Sequence, residues 1–199
     1  MIMGGLWNII LAAGESKRMG FPKMLLPFNG STMIENVINN VTLSETDFTL
    51  VVLGANSEII TDLLKELPVK CCYNDKYKDG MLSSVKCGFR NLPSDFEAVL
   101  IFPGDQPLIT PGVINKVIAA YRLSGKGIII PVHDNKRGHP LLIDSKYRTE
   151  VENIDISDSL RSLSSRFSGD VLEVETDDAG ILKDFDTYEE YLNEINQKK

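Results

Sequence analysis

Small and basic residues follow an apolar stretch near the start of the chain, a pattern that suits phosphate binding. The apolar stretch ends at Leu11, and Gly14, Ser16, Arg18 and Lys23 follow it. Small residues let main-chain amides approach a polyphosphate, and arginine and lysine can neutralise its charge. The glycine spacing fits neither a Walker A loop nor the GxGxxG dinucleotide fingerprint. The segment predicts a polyphosphate site, unless the glycines only form a turn and the basic residues are solvated.

Three aspartates could hold a hard cation beside such phosphates. Asp105 follows the apolar stretch VLIF and a Pro-Gly turn, and magnesium prefers one or two carboxylates together with phosphate oxygens. Asp184 and Asp186 alternate in the sequence and therefore share one face of an extended segment. We predict Mg²⁺ at Asp105, with Asp186 as the favoured second ligand and Asp184 as the next choice. The competing interpretations are turn capping by Asp105 and helix capping by Asp186.

Four further polar residues could contact the organic parts of a phosphorylated ligand. Ser83 and Ser84, in the string GMLSS, offer hydroxyls and amides to a base or ribose. Helix capping is the simpler interpretation of these two serines. Arg137 and His139, in the string RGHP, could contact an anionic acceptor or position a phosphate. A histidine beside a proline is more often structural.

Short β-rich runs alternate with stretches of helical periodicity along the chain. The predicted strands are residues 7–11, 48–53, 69–73, 98–102, 127–132, 141–143 and 170–175. The predicted helices are residues 32–41, 56–67, 81–91, 111–124 and 187–197. Such alternation favours parallel strands covered by helices on both faces. We therefore predict one α/β domain over residues 1–199, a three-layer α/β/α sandwich around a mostly parallel, doubly wound sheet.

The predicted sheet also indicates where the chemical residues should meet. Ligands of doubly wound sheets bind outside the carboxyl ends of the strands. The loops after Leu11, Leu53, Tyr73 and Phe102 should therefore surround the site.

The composition excludes several classes of partner. The net charge is −7, with 43% hydrophobic and 25% charged residues, so neither nucleic acid nor an anionic membrane is an expected partner. The three cysteines form no CxxC pair and indicate neither a disulfide framework nor a zinc site. With no stretch of about 20 apolar residues and no basic residue before the first apolar run, we expect a cytoplasmic protein.

The motifs occur in the order found in molybdenum cofactor cytidylyltransferases, and the chain resembles this family within the MobA-like NTP transferase superfamily. LAAGESKRMGFPK resembles the signature LAAGxSxRMGxxK at every fixed position. GDQPLIT resembles GDxPLI, and the stretch around GMLSS resembles NxxxxxGMSSSL. The string RGHP occurs in this chain and is also a motif of the family. LKDFDTYEEY resembles DxDTPEDY, with Tyr188 in place of the proline and Glu190 in place of an aspartate.

The resemblance implies transfer of CMP from CTP to the terminal phosphate of the molybdopterin form of molybdenum cofactor, with release of pyrophosphate. It implies catalytic roles for Arg18, Lys23 and Asp105, substrate binding by Arg137 and His139, and magnesium binding by the three aspartates. The implied nucleotide-binding residues are Leu11, Ala12, Ala13, Gly14, Ser16, Arg18, Lys23, Ser83, Ser84 and Gly104.

Two alternatives remain open from the sequence. A guanylyl or other nucleotidyltransferase could act on a different phosphorylated acceptor. Ala12 and Ala13 stand where the guanylyltransferase branch usually carries glycine, and their methyl groups favour CTP because they would crowd a purine. The second alternative is a non-catalytic protein that carries nucleotide or cofactor to a molybdenum hydroxylase. A molybdenum hydroxylase is also the expected client of the transferase.

Overall fold

A computed structural model describes residues 4–197 of the chain. Its strands are β1 (Leu6–Ala12), β2 (Pro27–Phe28), β3 (Ser31–Thr32), β4 (Phe48–Leu53), β5 (Lys70–Tyr73), β6 (Ala98–Pro103), β7 (Ile128–His133), β8 (Lys136–Arg137), β9 (Leu141–Asp144) and β10 (Val171–Glu175). Its α-helices are α1 (Met33–Thr42), α2 (Ser57–Leu64), α3 (Met81–Asn91), α4 (Pro111–Ser124), α5 (Arg148–Asn153), α6 (Leu160–Arg166) and α7 (Tyr188–Gln197).

The main sheet has the strand order β10-β7-β9-β6-β1-β4-β5, and β8 pairs with β7. β1 is parallel to both of its neighbours, β4 and β6. β4 is parallel to β5, and β7 is parallel to β10. The loops that follow β1 and β6 therefore emerge side by side at the same edge of the sheet.

Helices cover both faces of this sheet because the side chains of β1 alternate between two buried clusters. Leu6 and Ile10 pack into one cluster with residues of α1, α2 and α4. Trp7 and Ile9 pack into the other with residues of α3, α5 and α6. The predicted three-layer α/β/α architecture with a mostly parallel sheet is confirmed.

The strand β9 departs from the parallel pattern, since it runs antiparallel to both β6 and β7. Only residues 134–140 connect β7 to β9, whereas a parallel crossover needs about a dozen residues or more. The chain turns back instead, and this return carries residues 138–140 to the carboxyl end of β7. The helices α5 and α6 were not among the predicted elements.

A third buried cluster joins the C-terminal segment to the loop after β1. Met19 and Phe28 come from the loop and from the β2–β3 hairpin, and Phe185 and Tyr191 come from the C-terminal segment. The Tyr191 hydroxyl donates a hydrogen bond to the Pro27 carbonyl oxygen at 2.6 Å. The acidic segment around Phe185 is thereby held across the carboxyl edge of the sheet.

Among the described residues, 4–197, no helix has both the length and the apolar character needed to cross a bilayer.

Candidate active site

A cavity of about 500 Å³ lies at the carboxyl ends of β1 and β6. It receives residues from the loop after β1, the segment between β5 and α3, the loop after β6, the turn before β9 and the C-terminal segment. The lining residues are Leu11, Ala13, Gly14, Arg18, Lys23, Met24, Tyr77, Gly80, Met81, Ser84, Pro103, Asp105, Gln106, His139, Asp184 and Asp186.

The loop after β1 is folded by its own polar groups. Ser16 adopts a positive φ of 53°, and its carbonyl oxygen accepts hydrogen bonds from the Met19 and Gly20 amides. The Ser16 hydroxyl accepts a hydrogen bond from the Lys23 amide at 3.1 Å. Ser16 is therefore a residue that shapes the loop, and it positions Lys23 at the cavity rather than lining the cavity itself.

Lys23 lies at the centre of an ion-pair cluster. Its ammonium group is paired with Asp105, and both side chains are only 14% exposed. The same ammonium lies 3.6 Å from Asp186 Oδ1, and Arg18 Nη1 lies 2.8 Å from Asp186 Oδ2. The loop after β1, the loop after β6 and the C-terminal segment are thus joined by opposite charges.

Three carboxylates face two basic side chains in this cluster, which leaves an excess of negative charge. Asp184 lies beside these ion pairs and forms no salt bridge of its own with the residues that the structure describes. Partial desolvation raises the pKa of the Asp184 carboxyl, and the negative charges of Asp186 and Asp105 raise it further. Such a site favours an additional cation.

Within residues 4–197, no group of three or more histidine, cysteine or acidic side chains is arranged to hold a metal ion alone. The carboxylates of Asp105 and Asp186 fit the needs of magnesium, because that ion keeps water ligands and binds through one or two carboxylates plus substrate phosphates. Asp105 and Asp186 can supply the carboxylates once Lys23 and Arg18 turn to the phosphates. Asp184 faces the same cavity.

The string GMLSS forms the opposite wall, but its two serines differ in placement. Asn74 Nδ2 donates hydrogen bonds to Ser83 Oγ at 2.8 Å and to Ser84 Oγ at 3.0 Å. The Ser83 hydroxyl also lies 2.8 Å from the carbonyl oxygens of Lys76 and Gly80. Ser84 lines the cavity, whereas Ser83 lies behind it and holds the turn before α3.

The string RGHP is also divided between two locations. Arg137 is exposed on β8, where its Nε donates a hydrogen bond to Glu173 Oε1 at 2.6 Å, and it is not among the residues that line the cavity. His139 does line the cavity, and burial lowers the pKa of its imidazole to about 4 despite the nearby charge of Asp105. At neutral pH His139 is therefore an uncharged hydrogen-bonding group.

The other residues predicted to bind nucleotide fall into two groups. Leu11, Ala13 and Gly14 line the cavity. Ala12 points to the opposite side, into the first buried cluster. Gly104 lies behind the cavity, where a Cβ would come within 3.0 Å of the Leu11 carbonyl oxygen, so this glycine permits the close approach of β6 and β1.

The four predicted loops contribute unequally to the cavity. The loop after Leu53 packs against the loop after β1, where the Ala55 amide donates a hydrogen bond to the Ala13 carbonyl oxygen at 3.1 Å. Several lining residues were not predicted as site residues, although they lie within or beside the motifs: Met24, Tyr77, Gly80, Met81, Pro103 and Gln106. Their proximity to the motifs was the one signal the sequence offered for them.

A larger groove of about 630 Å³ lies beside α2 and β5. Its lining residues include the acidic Glu58 and Asp62 but neither lysine nor arginine. A polyphosphate would meet only negative charge there, so the smaller cavity with Arg18 and Lys23 is the candidate site.

Comparison with known proteins identifies a family. The model of the family described as "MobA-like NTP transferase domain" matches residues 8–171. The chain is 28% identical to the molybdenum cofactor cytidylyltransferase of Escherichia coli K12, over 92% of each chain. It is 27% identical to the nicotine blue oxidoreductase of Paenarthrobacter nicotinovorans, over 72% of this chain and 73% of that protein.

Among solved structures, Rv0371c of Mycobacterium tuberculosis H37Rv superimposes with a TM-score of 0.86 at 20% identity, covering 97% of this chain and 98% of that one. A structure of Rv0371c in complex with manganese superimposes with a TM-score of 0.73 at 18% identity, covering 95% of this chain and 97% of that one. At these identities the likeness shows the fold.

The charge excess predicts opposite effects of two matched substitutions on the metal-free protein. Asp184→Asn removes a carboxylate that its neighbours repel, so we expect the melting temperature in chelator to rise, by no more than roughly 2 °C because the group is partly solvated. Asp186→Asn removes the partner of Arg18 and Lys23, so we expect no rise. Thermal unfolding in EDTA provides the measurement, and a lower melting temperature for Asp184→Asn would contradict the charge excess.

Proposed function

Because the chain belongs to the MobA-like NTP transferase family, we propose that it transfers CMP from CTP to the terminal phosphate of the molybdopterin form of molybdenum cofactor, releasing pyrophosphate. Family membership supports nucleotidyl transfer as the activity. The observation that carries the proposal is the convergence of Lys23, Arg18 and three aspartates on one cavity beside the carboxyl ends of β1 and β6. The similarity to the Escherichia coli cytidylyltransferase supports the choice of nucleotide and acceptor.

The reaction requires positioning and charge neutralisation more than covalent chemistry by the protein. An oxygen of the acceptor phosphate forms a bond to the α-phosphorus of CTP, and the bond between that phosphorus and the pyrophosphate oxygen breaks. The pyrophosphate leaves with its negative charge. Main-chain amides near Gly14 contact the phosphates, since a glycine Cβ there would meet no atom within 4 Å and the loop is open to a ligand.

Lys23 and Arg18 supply the positive charge for this step. In the free protein their partners are Asp105 and Asp186. When CTP binds, both basic groups shift to phosphate oxygens and stabilise the negative charge that develops on the α-phosphate and the pyrophosphate. These ion pairs hold both basic groups beside the cavity before the nucleotide binds.

We propose Mg²⁺ as the cofactor, held by Asp105 and Asp186, with Asp184 as a further candidate ligand. Bound there, the ion would neutralise phosphate charge and orient the reacting groups. The charge excess of the three carboxylates supports a divalent cation, and the manganese complex of Rv0371c is in keeping with one.

Of the two alanines that the sequence suggested would select the base, one faces the cavity. Ala13 lines the cavity, whereas Ala12 packs into the core. Crowding of a purine therefore depends on the methyl group of Ala13 together with the residues of the opposite wall. The assignment of a molybdenum hydroxylase as client stays a prediction.

Pyrophosphate release measured with different nucleotides tests the proposed reaction. With molybdenum cofactor and Mg²⁺, we expect kcat/KM for CTP to exceed that for GTP by roughly 10-fold or more, a ratio within reach of steric discrimination in a pocket. Activity should vanish in EDTA and return when Mg²⁺ is added. A preference for GTP would contradict the cytidylyl assignment, and turnover only with other phosphorylated acceptors would contradict the molybdenum cofactor.

The role of Lys23 is tested by comparing two lysine variants. Lys23→Met should lower kcat by about 10²- to 10³-fold, as expected when one group that stabilises the transition state is removed. Lys126 is the control, because its ammonium group only donates a hydrogen bond to the Gly169 carbonyl oxygen at 2.6 Å, outside the cavity. Lys126→Met should retain full turnover. A folded Lys23→Met variant with kcat close to that of the wild type would contradict the assigned role.

A further inference from the structure

Gln106 is a polar residue that is buried although it lines the cavity. Its exposed fraction is 6%. Its Oε1 atom is buried without a hydrogen-bond partner among the described residues, a property that it has in common with Trp7 Nε1 and Asn8 Oδ1. Trp7 and Asn8 do not line the cavity. A buried polar atom without a partner is unfavourable, and rotation of the Gln106 side chain toward the cavity would bring Oε1 to a ligand that supplies the missing hydrogen bond.

Hydrogen bonds fix the backbone around Gln106, so its side chain stays beside the cavity and reaches a ligand by rotation about its own bonds. The Gln106 amide donates a hydrogen bond to the Pro103 carbonyl oxygen, and the Ile109 amide donates one to the Gln106 carbonyl oxygen, both at 3.4 Å. Asn40, on α1, donates from Nδ2 to the Pro107 carbonyl oxygen at 3.0 Å. The loop after β6 is therefore anchored to the layer of helices beneath it.

The strand order indicates which end of the cavity Gln106 occupies. The phosphate-binding loop follows β1, and β6 and β9 lie on one side of β1 while β4 and β5 lie on the other. Gln106 follows β6, and His139 precedes β9. The opposite end is lined by residues between β5 and α3 or within α3, namely Tyr77, Gly80, Met81 and Ser84. The Lys23 and Asp105 pair lies between the two ends.

A transferase must bring the phosphates of its two substrates together, and the Lys23 and Asp105 pair is the place for them to meet. The two substrates would therefore occupy opposite ends of the cavity. The nucleoside would occupy the end beside α3, which the GMLSS string lines. The acceptor would then extend from the central charges toward Gln106 and His139. Gln106 and His139 both line this end of the cavity and offer hydrogen-bonding groups to the acceptor.

Building on the proposed function, we infer that the side-chain amide of Gln106 binds the acceptor and determines its specificity. Oε1 accepts a hydrogen bond from an N–H group of the acceptor, and the amide can donate from Nε2 to an adjacent carbonyl oxygen. A heterocycle with neighbouring N–H and C=O groups, such as the pyrimidinone ring of a pterin, matches this pair. A site built in this way strongly rejects an analogue that lacks the hydrogen-bonding group.

The substitution Gln106→Met tests the inference, because methionine keeps the length of the side chain and removes both polar atoms. The variant is assayed by pyrophosphate release with CTP, Mg²⁺ and molybdenum cofactor, varying each substrate in turn. We expect KM for the cofactor to rise by about 10-fold or more, while KM for CTP stays within about twofold. We expect no loss of melting temperature, since Oε1 has no hydrogen bond to lose.

Asn40→Ala is the matched control, because it removes the hydrogen bond that holds the same loop without removing a residue that lines the cavity. It should leave the ratio of the two KM values unchanged. A Gln106→Met variant with unchanged KM for the cofactor, or with an increase in KM for CTP alone, would overturn the inference. So would a large fall in its melting temperature, which would indicate a structural hydrogen bond. Failure of the wild-type enzyme to use molybdenum cofactor would instead contradict the proposed function.

Discussion

The ion pair between Lys23 and Asp105 is the interaction on which the arrangement of the site depends. It joins the loops that follow β1 and β6, which lie side by side because these two strands are parallel neighbours. Both side chains are largely removed from solvent, where an unpaired charge would be strongly unfavourable. Each charge therefore needs the other in the free protein. A nucleotide with its cation can replace both partners at once, and the same two residues can then act on the phosphates.

The remaining acidic residues reach this pair through the packing of apolar ones. Phe185 is buried in the third cluster with Phe28 and Tyr191. Because side chains alternate along an extended segment, the burial of Phe185 directs Asp184 and Asp186 to the other side, toward the cavity. The excess negative charge that results is unfavourable for the free protein, as the raised pKa of Asp184 indicates. Stability is thus reduced locally at the place where the proposed function needs a cation.

The fold and the central part of the site followed from the sequence because both depend on local patterns. Buried strands, capping residues and the alternation of Asp184 and Asp186 are visible within a few residues. The partner of a side chain is not visible in this way, and Arg137 illustrates the point, because it pairs with Glu173 on a distant strand. Ser83 and Ala12 lie next to lining residues but face away from the cavity. Gln106 carried no pattern of its own, and its importance depends on burial and on an unpartnered atom.

We propose that Lys23 and Arg18 exchange carboxylate partners for phosphates when the nucleotide binds. A crystal structure of the protein with CTP and Mg²⁺ tests this most directly. We expect phosphate oxygens within hydrogen-bonding distance of Lys23 Nζ and Arg18, the cation bound to Asp105 and Asp186, and the cytosine beside α3. A structure in which CTP lies elsewhere while Lys23 still pairs with Asp105 would contradict it.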